Sequence, residues 1–273
     1  MLGAFAMMGW FVFHGVRPES PRQVPRPAAR VRPLVVVDPG HGGIDPGSRA
    51  GGMTEARVNL AVSRALARVL TRMGYQVLLT RSDHGCRPGL VVVPWTRRAR
   101  AAGCRINLRD RVFLAIHRHA SAFLSIHSDL YGDPSVWGPR TYYVEESQVQ
   151  AALAADIQHE LDRFRKRPVA PITCRHFTLL ALRTMPAVTI EVGYLSNPAE
   201  RRRLEDPNHQ MALAEAIARG FGHFAQTHAL LPPPTVDPRE IDREWQSKRG
   251  RLYRPYEAPG IGRVPAQGHG PRP

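Results

Sequence analysis

Apolar and polar positions between residues 34 and 228 switch repeatedly between two periods. Leu34-Val35-Val36-Val37 is an unbroken apolar run that ends in a Pro/Gly turn, the pattern of a strand buried on both faces. Val58, Val62, Ala65, Leu66, Val69 and Met73 then fall at helical spacing, with Thr54 as N-cap and Gly74 as the stop. Tyr75 to Thr80 reads as a strand, a helix capped by Asn107 runs through His119, and Ala122 to Ile126 is a second buried strand. Further strands are expected at Arg140–Val144, Phe177–Leu182 and Ala187–Val192, with a helix over Ser147–Arg165. Asn197-Pro198-Ala199-Glu200 combines an N-cap, a first-turn proline and a glutamate three residues on, so it opens a helix. A last helix covers about Asn208 to Thr227. Strands alternating with helices predict an α/β fold, a single three-layer domain whose mostly parallel, twisted sheet is covered by helices on both faces. Ligands of such sheets bind at the carboxyl ends of the strands.

The ends of the chain are different. Residues 1–16 carry no charged side chain and read as a signal or anchor candidate, and a Pro/Arg-rich linker follows over 17–33. No basic residue precedes the apolar block and no clean small-x-small cleavage site follows it, so a buried or disordered N-terminus stays open as well. The segment 229–273 has nine prolines and few large apolar residues, and is expected to stay unpacked. That leaves 34–228 as the folded domain that carries the candidate chemistry. The apolar share of 43% over 273 residues supports a sizeable core and excludes wholesale disorder. Three cysteines without a CxxC spacing exclude a disulfide scaffold and a cysteine-built zinc site. The net charge of +15 favours a polyanionic partner, although about half of that excess lies in the two terminal segments.

Several strand ends and one helix start carry the polar residues of interest. The first strand runs into Asp38-Pro39-Gly40-His41-Gly42-Gly43, Glu55 opens the next helix, Ala122–Ile126 delivers His127, and the apolar Ala187–Ile190 delivers Glu191. An acid inside a buried strand costs several kcal/mol unless it is paired, protonated or near a cation. Two histidines and a glutamate at one sheet edge suit a three-ligand zinc site with an open position, and a further carboxylate would serve as base. Asp38 and Asp45 are read as shaping the glycine-rich loop, with Asp38 a candidate to orient His41. His117 and His119 point to different helix faces, and Arg201, Arg202 and Arg203 read as a solvated face. His176 stands just before the expected Phe177–Leu182 strand.

The blocks VVVDPGHGG, GSRAGGMTEARVNLAV, FLSIHSD and MPAVTIEVGYLSNPAE, in that order, resemble the zinc-dependent N-acetylmuramoyl-L-alanine amidases, the amidase-3 family of peptidoglycan hydrolases. NLRDRVFLAI also resembles that family's L-x-x-R-x-x-x-A helix through Leu108, Arg111 and Ala115. The resemblance implies that His41, Glu55 and His127 bind one zinc ion per chain and that Glu191 is the catalytic acid/base. It implies hydrolysis of the amide joining N-acetylmuramic acid to the L-alanine of the stem peptide. Peptidoglycan is then the partner, with no specific nucleic acid, and the chain is expected to be a monomer, exported to the periplasm or cell wall. Membrane contact through residues 1–16 stays open. An insertion between Asp83 and Asn107 departs from the family pattern; in an exported protein its Cys86 and Cys104 could pair. The competing readings are a zinc exopeptidase on a similar fold and a non-catalytic wall- or polyanion-binding module.

Overall fold

The structure is a computed structural model that describes residues 32–82 and 108–230. The chain enters through β1 (Leu34–Pro39), makes a small hairpin from β2 (Arg49–Ala50) and β3 (Met53–Thr54), and continues into α1 (Glu55–Arg72) and β4 (Gln76–Leu79). Beyond residue 107 come α2 (Leu108–His117), β5 (Ala122–His127), β6 (Arg140–Val144) and α3 (Gln148–Leu161). β7 (Ile172–Cys174), α4 (Phe177–Ala181), β8 (Ala187–Glu191), α5 (Pro198–Glu205) and α6 (Pro207–Thr227) complete it. The expected N-terminal segments up to residue 31, the Asn107 cap, the Cys86 and Cys104 insertion and the tail from residue 231 lie outside the described residues. No helix among the described residues is long and apolar enough to cross a membrane.

Six strands form one sheet in the order β4-β1-β5-β8-β6-β7. All neighbours run parallel except β6 and β8, which are antiparallel. Alternation along each strand divides the apolar side chains between two cores. Val35, Val37, Leu124, Ile126, Val188 and Ile190 pack with α1, α3 and α6. Val36, Phe123 and Ala187 pack on the opposite face with Val112 and Phe113 of α2 and with Leu179 of α4. The expected three-layer α/β architecture is therefore present. The same alternation has a consequence for chemistry. Asp38, Ser125, His127, Thr189 and Glu191 occupy the strand positions two or four beyond Val36, Phe123 and Ala187. They project from the α2/α4 face, toward the carboxyl ends of three adjacent strands.

Three local expectations need correction. Phe177–Leu182 is not a strand but the short helix α4, and the strand at this edge is Ile172–Cys174. A short apolar run interrupted only by Thr178 shows no clear period, and here the spacing of Leu179 and Leu182, both buried in the second core, matches a helical turn. The helix over Ser147–Arg165 is α-helical only to Leu161 and tightens into a 3-10 turn at Asp162–Phe164; Ser147 caps it, accepting from Gln150 N–H at 3.4 Å. Thr54 holds the N-cap position of α1 but makes no capping bond. The N–H groups of Glu55 and Ala56 donate instead to the carbonyls of Ser48 and Pro46, at 2.9 and 3.1 Å. The loop after β1 thus caps α1 with its backbone, which ties Glu55 to the segment that carries His41.

α3 and α6 cross closely at Gly220, where an added Cβ would stand 2.5 Å from Ile157 Cα and 2.6 Å from the Asp156 carbonyl oxygen. Both are backbone atoms, so neither can rotate away. Gly220→Ala would gain about 1 kcal/mol of helix propensity, against an overpacking cost of about 1–3 kcal/mol or more for a contact that must push the helices apart. The net expectation is a destabilised protein, melting on the order of 5 °C lower for a chain of this size. A calorimetric scan in which the variant melts higher than wild type would show that the helices separate freely.

Candidate metal centre

His41 follows β1 in a loop whose ends are joined by paired backbone bonds, Gly42 N–H to the Asp45 carbonyl at 2.7 Å and Asp45 N–H to the Gly42 carbonyl at 3.2 Å. Its φ of 59° lies in the left-handed region that few non-glycine residues adopt. Glu55 stands in the first turn of α1, where the helix dipole favours a carboxylate, and it is buried. Glu55 Oε2 accepts from Ser48 N–H at 3.0 Å and lies 3.2 Å from His41 Nε2. Its Oε1 accepts from Ser128 N–H and from the Asn59 amide, each at 3.3 Å, and lies 2.9 Å from His127 Nδ1. Both imidazoles therefore converge on one carboxylate that the backbone holds in place. Glycine allows this crowding. A Cβ on Gly40 would stand 2.4 Å from the His127 ring, and one on Gly47 would stand 2.7 Å from Glu55 Oε2.

One ligand atom from each of His41, Glu55 and His127 can be chosen so that all lie within 4.8 Å of one another. Two imidazoles and a carboxylate are the donor set of a three-ligand zinc site. The histidine side chains keep 29% and 23% of their surface exposed, which leaves an open side toward solvent. His41 Nδ1 bonds to Asp45 Oδ2 at 3.1 Å, so Nε2 is the nitrogen turned to the site, and a carboxylate behind a ligating imidazole is a typical orienting partner. Burial pulls the His41 pKa down, but Glu55 and Asp45 more than offset it and push it up to about 9. Burial would raise the Glu55 carboxyl, yet the two histidines beside it hold it well below the usual carboxylate range. The residues fit zinc.

Glu191 stands in register with His127 on the neighbouring strand. Its Oε2 accepts from Asp129 N–H at 2.9 Å. Burial, with the negative charges of Glu55 and Asp129, pushes its pKa well above the ordinary value. A cation beside it would act in the opposite direction. Asp129 in turn accepts from the Ser48 hydroxyl, so the loops after β1 and β5 are joined next to Glu191.

Asp38 does not orient His41; Asp45 does. The Asp38 carboxylate is buried on the row below, where it accepts from Arg111, from the Thr80 hydroxyl and, at 2.9 Å, from the Ser125 hydroxyl. Burial alone would raise its pKa, but Arg111 and Thr80 reverse this and hold it below the usual range. A depressed folded-state pKa contributes stability above the unfolded value of about 4, and that contribution is lost as pH falls through the folded one. Asp38→Asn should thus cost about 2 kcal/mol at pH 7, a charge-assisted bond reduced to a neutral one, and flatten the fall of the urea midpoint below about pH 4. An unchanged acid-side slope would place that pH dependence elsewhere.

Several other described histidines rest on aromatic rings. His117 stacks on Phe113, His209 meets Phe164 edge-on and His228 stacks on Phe224. His176 stacks on Tyr142, and burial together with the nearby His127 lowers its pKa to about 4. Arg201 donates to the Leu195 carbonyl at 2.6 Å. Sequence reasoning gave no role to Ser48, Asn59 or Asp129, although all three lie inside the blocks that carry the family resemblance. Asn59 was accessible, since it sits four residues after Glu55 on the same helix face; Ser48 and Asp129 carry no spacing signal.

A family model described as N-acetylmuramoyl-L-alanine amidase matches residues 35–223. The N-acetylmuramoyl-L-alanine amidase AmiC of Neisseria meningitidis is 27% identical over 73% of this chain and 54% of its own length. The germination-specific N-acetylmuramoyl-L-alanine amidase of Bacillus subtilis is 32% identical over 69% of this chain and 78% of its own. The chain thus spans about half of the first relative and most of the second. Among solved structures, the CwlD amidase from Clostridioides difficile, determined in complex with the GerS lipoprotein, superposes with a TM-score of 0.60 at 28% identity. That match covers 72% of this chain and all of the other.

Proposed function

Because the chain belongs to the N-acetylmuramoyl-L-alanine amidase family, we propose that it is a zinc hydrolase. It cleaves the amide between N-acetylmuramic acid and the L-alanine of the peptidoglycan stem peptide. The observation that carries this reading is the convergence of His41 and His127 on buried Glu55, with a second buried carboxylate, Glu191, on the adjacent strand end. His41, Glu55 and His127 would hold one zinc ion, which would supply Lewis acidity to the hydrolysis. Glu191 handles protons. Its Oε2 is fixed by Asp129 N–H, so the carboxylate is oriented to take a proton from the attacking water and return it to the departing amine. An amide needs that return, because an amide anion is a poor leaving group.

In this reading residues 34–228 are the catalytic domain of an exported, periplasmic or wall-associated monomer, and peptidoglycan is its partner. No additional helix is needed to account for the chain between His127 and Glu191. The short α4 packs with Leu179 into the core beside α2, and the site histidines remain partly exposed.

The test is incubation of the full chain with purified peptidoglycan and with soluble muramoyl peptides, with and without a chelator. Stem peptides bearing a free L-alanine amino group should appear only without chelator, and no activator protein should be needed. New reducing sugar ends, or cleavage of free peptides alone, would replace the amidase reading by a glycosidase or an exopeptidase. Activity that awaits a partner protein would mean that the site is gated.

A further inference from the structure

We infer that Arg81 is a positioning residue of the zinc site: its guanidinium ties together the two chain segments that present His41 and Glu55. The inference rests on the zinc reading above. Arg81 follows β4 and is buried at 3% relative exposure. Its Nε donates to the Pro39 carbonyl at 3.0 Å, and its Nη2 donates to the carbonyls of Gly40 at 3.0 Å and Ala56 at 2.7 Å. Gly40 is the residue before His41, and Ala56 is the residue after Glu55. One planar fork therefore spans the backbone beside both ligands, which come from different segments, a loop after β1 and the first turn of α1.

Two further contacts complete the cradle. Arg111 donates to the carbonyls of Pro39 at 2.8 Å and His41 at 2.9 Å, and the Asn59 amide donates to the Gly40 carbonyl at 3.2 Å. Three consecutive carbonyls, those of Pro39, Gly40 and His41, are thus drawn toward buried cations. That turn of the backbone sets His41 in its left-handed conformation with Nε2 facing Glu55. The packing is tight at this point, since a Cβ on Gly42 would stand 2.6 Å from the Arg81 side chain. A lysine has charge but no rigid fork, and it cannot match three carbonyls in one plane.

The experiment uses the full chain, purified metal-free, as wild type, Arg81→Lys and Arg81→Met. Zinc affinity is measured by competition with a chromophoric chelator, and the visible absorption of the cobalt(II) form is recorded, both well below the melting temperature. Wild type should bind one zinc. Arg81→Lys should bind about 10–100-fold more weakly, as is typical when a partner behind the ligands is lost, with an altered cobalt spectrum, and Arg81→Met should bind at least as weakly as Arg81→Lys. A purely structural role would lower the melting temperature of both variants and leave zinc affinity and spectrum as in wild type, which overturns the inference. If Arg81→Met does not fold, Arg81→Lys alone decides. Wild-type protein that binds no zinc would instead sink the reading of the site itself.

Discussion

Glu191→Gln should keep one zinc per chain and lose about 10²–10⁴ of turnover, the range that a positioned acid/base contributes. The change is nearly isosteric at a buried position, so the fold has little reason to respond. A glutamine can still accept from Asp129 N–H through its carbonyl oxygen, the bond that Glu191 Oε2 makes now. What it cannot do is take a proton from water. Metal content by mass spectrometry, paired with kcat on a soluble muramoyl peptide, checks this. Glu55→Gln makes the contrast, because Glu55 faces both imidazoles; it should weaken zinc binding first. If Glu191→Gln loses the metal and Glu55→Gln keeps it, the two carboxylates have exchanged roles.

His127→Ala should lose zinc and activity together. It removes one of the three proposed ligands and leaves Glu55 Oε1 with Ser128 N–H and Asn59 beside it. The expected loss of zinc affinity exceeds about 100-fold, beyond the range for residues that merely support a ligand. The melting temperature of the metal-free protein should change little, because His127 is partly exposed at a strand end and both hydrophobic cores form without it. Full zinc occupancy in this variant would remove His127 from the ligand set.

The sheet was legible because parallel strands buried on both faces read as plain apolar runs, as at Leu34–Val37 and Ala187–Ile190. The same rule failed at Phe177–Leu182, where a run too short to show a period packs as a helical turn. His41, His127 and Glu191 stood out as polar residues at the ends of apolar strands, which are costly and few; Glu55, in a helix start, and the proposed ligand and base roles came from the family resemblance. Their supports were not. Arg81 acts on backbone carbonyls, and a carbonyl leaves no trace in the sequence; Arg111 stood out only through the resemblance of its helix, with no such role attached. Asp38 and Asp45 illustrate the same limit. Each sits close to His41 in the chain, and only the direction of the strand pleat decides that Asp38 turns down to Arg111 while Asp45 folds back on the imidazole.

The three-residue strand β7 lies at one margin of the sheet, paired only with β6 through Tyr142, Tyr143 and Val144. A margin this short gives an incoming strand few unpaired N–H and C=O groups to zip onto, and Pro171 just before it offers no donor at all. Growth of the sheet from one molecule into the next is therefore disfavoured at this edge. A longer, flatter strand grafted there should raise self-association, which light scattering would detect.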